Sequence, residues 1–518
     1  MKTFFLGIFI FLTTISVSQK NDFKISYTEK NIGINLLDSS EIKGLEYIFP
    51  KRIHKIYFDA KSNLLTVQLR KLSKNGKWLK NRGHILLYDL RNKKVKWSKK
   101  IVYESNRLQQ FDSTLIFTVG NTSYYIDRNT GADLWKIPNT FYHVDSKCNI
   151  GIGYKNKHSI NSDELQGIDL KNGKILWTKE LNRDYGWNDL FYTNDSTLII
   201  VASGLHSINI KTGKGWDYNT VTGKKDYSGT VAANAAGVAL GLLTGTFIVT
   251  TGHNVIHDIL SNVLIDSSNI YFSSKEQLAK IDKKTGKVIW THPFLKNLTG
   301  KSSIFTDDEY IYMINNGYAF MGYRKINFGE PFIAAFEKKT GKQKYFSLIN
   351  NKKNPILSFK ISDKIIYLIS KDKIAKYSLE TGNLIKEEIL PNENFGEFKY
   401  IIGNQVFKKT NEQKFICLPK SDTTKIFIFT DKGKILGFNE QLNLTNILNY
   451  DDLYISYIQL KRFKFIIAKN NLTWIIDEKG EKTAELDVTP EAFLIGKILY
   501  DKQNNKFIEI DLSNIIKD

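Results

Sequence analysis

Two histidines four residues apart, His253 and His257, precede Asp258, and on a helix both imidazoles would share one face, as in zinc or nickel sites that recruit a third ligand. No third ligand stands at a fixed spacing, so ordinary polar residues at a helix end account for the pair equally well. Cys148 and Cys417 are the only cysteines and lie far apart, which forms neither a disulfide framework nor a Cys-x-x-Cys redox pair. The nucleophile elbow Gly-x-Ser-x-Gly, the His-Glu-x-x-His zinc motif, the phosphate loop and the calcium loop do not occur. No catalytic, cofactor-binding or metal residue is assigned, and the chain reads as a non-enzyme.

What does recur is a phrase in which an acidic or small polar residue is followed by Gly at four and an aromatic at eight. Asp127, Gly131 and Trp135 form one copy, Asp169, Gly173 and Trp177 a second, and Asp282, Gly286 and Trp290 a third. A degraded copy keeps Asp89 and Trp97 around Lys93, and another has Glu337, Gly341 and Tyr345. Asn209 with Gly213 has its Trp216 at seven, and Ser378 with Gly382 has lost the aromatic. Drift of this kind marks scaffold positions.

Apolar residues alternate around each copy, as in Leu115, Phe117, Val119, Tyr124 and Ile126, which predicts antiparallel strands. The Gly permits positive φ in the turn between them, and the preceding Asp, Asn or Thr can hydrogen-bond the turn backbone. Copies return at a period near forty with about four strands per unit, which points to propeller blades. The expected fold is all-β: a single propeller of about eight four-stranded antiparallel blades over 19–518, with two smaller propellers as the alternative. Strands near Ile25–Leu37 and Phe507–Leu512 are expected to complete one blade together, removing open edges.

Asp-Lys-Lys-Thr-Gly-Lys-Val-Ile-Trp at 282–290, with its relatives at 127–135 and 169–177, resembles the tryptophan-docking repeat of the pyrroloquinoline-quinone-like propellers. That group holds both quinoprotein alcohol dehydrogenases and a non-catalytic outer-membrane barrel-assembly protein, BamB. The enzyme branch implies a vicinal Cys pair over the cofactor, carboxylate and amide ligands for calcium and a basic aspartate. The two separated cysteines and the missing Cys-x-x-Cys-His segment place the chain with the non-catalytic branch, without cofactor, and leave a divergent quinone-dependent oxidoreductase as the alternative.

One stretch breaks the period. Between Asn209 and Asp282 the spacing far exceeds one blade, and the excess lies in an apolar insertion, 219–258, whose stretch from Tyr227 to His257 has no Asp, Glu, Lys or Arg. Ala233, Gly237, Gly241 and Gly245 fall four apart, which on a helix forms a smooth stripe for close backbone approach. A helix or helical hairpin is expected, either packed on the propeller or serving as the element that touches a partner or membrane. A single membrane crossing is excluded, because it would separate blades that must pair. A second long connection, Asn315 to Pro331, carries Tyr318, Phe320 and Tyr323 as candidate aromatic anchors.

Lys2, the apolar run Phe4–Leu12 and small residues to Ser18 read as a cleaved signal, 1–18, with no lipid-bearing Cys behind it. The chain is expected in the periplasm or outside the cell. The formal charge of +21 comes from lysines dispersed through turns among acids, which argues against nucleic acid and for a solvated surface drawn to anionic envelope components. The expected role is a scaffold for protein partners in the envelope or outside the cell, with peripheral membrane contact through the insertion.

Overall fold

A computed structural model describes residues 23–104, 106–157, 160–226, 254–349, 354–418, 425–468, 470 and 472–516. The signal segment and the stripe Ala233, Gly237, Gly241 and Gly245 lie outside these residues. Among them the chain forms antiparallel strands with only a single helical turn, Asn392–Phe395, and a 3-10 turn, Tyr450–Asp452. Two compact units result, one of residues 1–32, 41–137 and 491–518, the other of 33–40 and 138–490.

The repeating element is a four-stranded antiparallel sheet whose strands follow one another in sequence. In the first unit such sheets span Arg52–Val102 and Asn106–Ile137. A third row there joins Glu41–Ile48 to Lys506–Asp511, Ile498–Gln503 and Phe493–Ile495. First and last strands share a sheet as expected: Lys506–Asp511 pairs directly with Glu41–Ile48, and the strand that begins at Ser26 lies on the other side of Glu41–Ile48. Gly33 to Asn35 belong to the second unit, where they pair with Ala484 to Leu486.

The second unit repeats the four-stranded sheet over Asn139–Glu180, Asp189–Asn219, Leu264–Pro293, Ser302–Leu348, Ser358–Ile389, Phe398–Asn449 and Leu453–Leu486, with a hairpin that pairs elsewhere inserted inside Ser302–Leu348 and another, Val406–Cys417, inside Phe398–Asn449. Inner strands such as Thr197–Ala202 and Phe332–Glu337 are buried almost throughout, whereas fourth strands such as Val288–Pro293 and Leu384–Ile389 are half exposed. Strands covered on both faces lose polar alternation, and strands at a rim keep it. The apolar clusters span consecutive sheets: Ile199, Val201 and Leu205 with Ile270 and Phe272, then Tyr271 and Leu278 with Met313 and Phe336, then Ile314 and Ile333 with Leu368 and Tyr377. Cores lie between sheets, as in a multi-bladed propeller.

The repeated phrase is the lock between neighbours. Gly131 N–H donates to the Asp127 carbonyl (2.8 Å), while the Asp127 carboxylate accepts from the Asn129 and Thr130 amides (2.9 and 2.7 Å). Gly131 sits at φ 74°, and a Cβ there would lie 2.6 Å from the Trp97 ring of the preceding sheet. Trp97 Nε1–H donates to the Arg128 carbonyl (2.9 Å). In the second unit Trp177 docks against Gly213 and donates to Ile210 O (2.8 Å), Trp216 against Gly286 and Lys283 O (3.1 Å), and Trp290 against Gly341 and Lys338 O (3.2 Å). Tyr345 docks against Gly382, its phenol donating to Leu379 O (2.9 Å). Glu337 and Asp282 hold the hydroxyls of Thr340 and Thr285 at 2.6 Å, Asp169 accepts from the Lys171 amide and Asn172, and Asp89 from Asn92. Gly173 repeats the turn at φ 73°, and Lys93 adopts φ 51° where other copies have Gly. Trp135 stacks on Tyr125, ring centres 5.2 Å apart.

Spacing eight contains a bulge. Gly167 faces Trp177 but Ile168 faces Ile175, and Lys280 faces Trp290 but Ile281 faces Val288, leaving Leu176 and Ile289 unpaired. The sheet with Trp216 at seven has no such residue: Gly204 to His206 face Asn219 to Asp217 in unbroken register, and Ser207 N–H donates to Trp216 O (2.9 Å). Its tryptophan docks all the same, because only the bulged residue is missing.

Candidate interaction surface

The two segments that departed from the repeat meet in the second unit. Lys224–Asp226, Asn254–His257, Tyr318–Met321 and Arg324–Asn327 form a four-stranded sheet of their own, built from the connection before the Leu264–Pro293 sheet and from a hairpin inserted inside the Ser302–Leu348 sheet. Ile256 pairs with Met321 and His257 with Phe320. The described flanks of the 219–258 insertion are therefore strands, and His257 lies on a strand, not on a helix that would align it with residue 253. His253 itself lies outside the described residues.

The hairpin turns at Gly322–Tyr323, with Gly322 at φ 59° and Tyr323 at negative φ, the two-residue turn that puts Gly first. One face of the sheet is apolar: Ile256, Ile259 and Ala319 are buried, with Ile326 and Phe328 against them. The other face carries a ladder. His257 stacks on Phe320 (6.2 Å, 22°), Phe320 meets Tyr318 edge-on (5.8 Å, 88°), and Lys325 Nζ lies 3.6 Å over the Tyr318 ring. Burial, then the Asp258 charge, pushes the Tyr318 phenol up, and burial pushes the Lys325 ammonium down. Tyr323 at the tip is fully exposed.

Arg183 to Asn188, from the connection between two blade sheets, face the rim of this sheet across a groove of about 690 Å³ that also touches Val255, His257, Met321 and Gly322. Lys225 Nζ bridges to Asp184 (2.9 Å), and Arg183 lies 3.9 Å over the Tyr154 ring. The His257 imidazole is bonded to the Gly322 carbonyl (3.0 Å) and Asp258 to Lys301 Nζ (2.6 Å), so both candidate ligands are engaged within the protein. Among the described residues no group of three or more His, Cys, Asp or Glu side chains could share an ion, and no helix is long and apolar enough to cross a membrane. Cys148 and Cys417 are half-buried and not joined to each other by a disulfide.

One polar constellation escaped the sequence. His206 Nδ1 and Lys179 Nζ both contact Asp217 Oδ1 at 2.8 Å, a trio with no recognisable spacing. His206 is 3% exposed and its Nε2 has no hydrogen-bond partner.

Residues 157–292 match the family model described as outer membrane protein assembly factor BamB. Among solved structures the chain is similar to BamB from Moraxella catarrhalis, at 13% identity over 78% of this chain and 96% of that one, with a TM-score of 0.32. It is also similar to apo AztD from Citrobacter koseri (12% identity, 71% and 92% covered, TM-score 0.30) and to a europium-containing methanol dehydrogenase (11%, 73% and 84%, 0.26). No curated protein matches. The tryptophan-docked, four-stranded sheets are those of a multi-bladed β-propeller, and over residues 157–292 the chain is similar to the BamB family model.

Proposed function

We propose that this protein is a non-catalytic scaffold of the cell envelope or extracellular space, which holds out an aromatic hairpin and its sheet to protein partners. The extra sheet carries the reading. Two excursions from separate places in the chain pair with each other outside the blade repeat, and they end in an exposed tyrosine on a two-residue turn. An aromatic tip on a rigid hairpin offers large contact area at low entropic cost. The matched family model, named for an assembly factor, agrees with this role.

A photo-crosslinking residue at position 323 in cells tests it. A discrete adduct that disappears with Phe320→Ala supports the surface. An absence of adducts at 323, with adducts from a crosslinker at exposed Ile447 on another sheet, overturns it. Fractionation and N-terminal sequencing check the address: a mature protein beginning at Gln19 outside the cytoplasm is expected, and a cytoplasmic chain retaining Met1 would refute it.

A further inference from the structure

The first unit gathers cations that the sequence scatters. Lys80, Arg82 and His84 alternate along Leu79–Asp89, so they project to one face of the strand. Lys100 lies directly across from His84 and Val102 across from Arg82. Lys51 enters from just before Arg52–Asp59, the first strand of the same sheet, its Nζ 2.7 Å from His84 Nδ1, and Lys71 on Leu64–Leu72 closes the rim. These side chains surround a pocket of about 520 Å³ whose lining has five Lys or Arg residues and no carboxylate. Val102 supplies an apolar wall on the same face as Lys100, and Phe23 packs edge-on against His84 (4.8 Å) beneath Lys51.

Like charges brought together on a fold oppose each other unless an anion joins them. The site records that opposition. Burial, then Lys71 and Lys100, pushes the Lys51 ammonium below its ordinary value, and burial, then Lys51, Lys100 and Lys71, lowers His84. Glu104, just beyond the Lys94–Val102 strand, accepts a hydrogen bond from the Asn81 amide (3.1 Å).

We infer that this pocket binds the phosphate group of an organic phosphate ester, with its apolar body against Val102. Five cations exceed what a single carboxylate would use, whereas a phosphate monoester carries nearly two charges and three acceptor oxygens. The volume suits a small ligand or one headgroup.

Calorimetry on the full mature chain tests this with phenyl phosphate and inorganic phosphate as probes. Wild type should bind phenyl phosphate saturably and more tightly than inorganic phosphate. The double variant Arg82→Gln/Lys100→Gln, at exposed positions, should bind it about tenfold or more weakly. Lys339→Gln/Lys342→Gln, which removes the same charge from the Gly341 turn of the other unit, should bind as wild type. A second arm measures sedimentation with phosphatidylcholine vesicles containing or lacking phosphatidic acid. Pocket-dependent loss of sedimentation identifies a lipid headgroup as the source, and pocket-dependent loss of phenyl phosphate binding alone identifies a soluble ester. Absence of saturable phenyl phosphate binding, or equal weakening by both double variants, overturns the proposal.

Discussion

The indole of Trp290 occupies the space a Cβ of residue 341 would need, its Cε3 atom 2.5 Å from that position, while its N–H donates to Lys338 of the same turn. One glycine thus serves two demands, positive φ and close approach of the neighbouring blade. Gly341→Ala should destabilise the protein by about 2–4 kcal/mol, combining backbone strain with overpacking. Gly433 has a similar φ of 68° and open space around it, so Gly433→Ala should cost only about 1 kcal/mol. Equal midpoints in urea for the two variants would show that docking contributes nothing.

The bulge explains why the aromatic tolerates two spacings, and it makes a deletion informative. Removing Ile289, the unpaired residue, leaves Trp290 opposite Lys280 and the rest of Val288–Pro293 in register. The product should remain folded within about 2 kcal/mol of wild type and keep a buried-tryptophan emission. Deleting Thr291 instead shifts the strand beyond the tryptophan by one residue and exchanges its faces, so that variant should lose far more stability.

Acid should weaken the turns in a defined window. Hydrogen bonds from the Thr285 hydroxyl and amide hold the Asp282 carboxyl below its ordinary 3.8. A depressed folded value means its contribution is complete above the unfolded pKa and lost as pH falls through the folded one. The stability gap between wild type and Asp282→Asn, followed by urea denaturation, should be constant near neutrality and shrink below about pH 4. A gap that widens in acid would contradict the assignment.

Glu509 has the opposite sign. Burial chiefly raises its carboxyl above the ordinary 4.5, with the Tyr47 hydroxyl at 3.5 Å as its partner. The folded state favours the protonated form, so the penalty for ionisation grows as pH rises through the folded value. Glu509→Gln should therefore be more stable than wild type at neutral pH, and the difference should vanish in acid. Thermal midpoints across that range provide the check.

Much of the scaffold was legible because its determinants are local. Asp127, Gly131 and their equivalents build a turn from residues at most five apart, and period-two burial follows from the strand itself. The connection Asn315–Pro331, expected as a loop of candidate aromatic anchors, is a hairpin on which Tyr323 is exposed and Tyr318 and Phe320 are half-buried, since Gly322–Tyr323 is a turn signal hidden among aromatics. His257 was read with helical spacing because the apolar, charge-free sequence before it has no alternation; its pairing with Phe320 belongs to a strand distant in sequence.

The sequence by itself determined the repeat, the turn chemistry and the aromatic that locks one blade to the next, because each depends on residues within one hairpin. Tertiary structure alone decided which excursions pair with each other, which of two N-terminal strands joins Lys506–Asp511, and that Lys51, Lys71, Arg82 and Lys100 face one pocket. Those outcomes rest on contacts between chain segments tens to hundreds of residues apart, and register and strand order, not spacing along the chain, bring such side chains together.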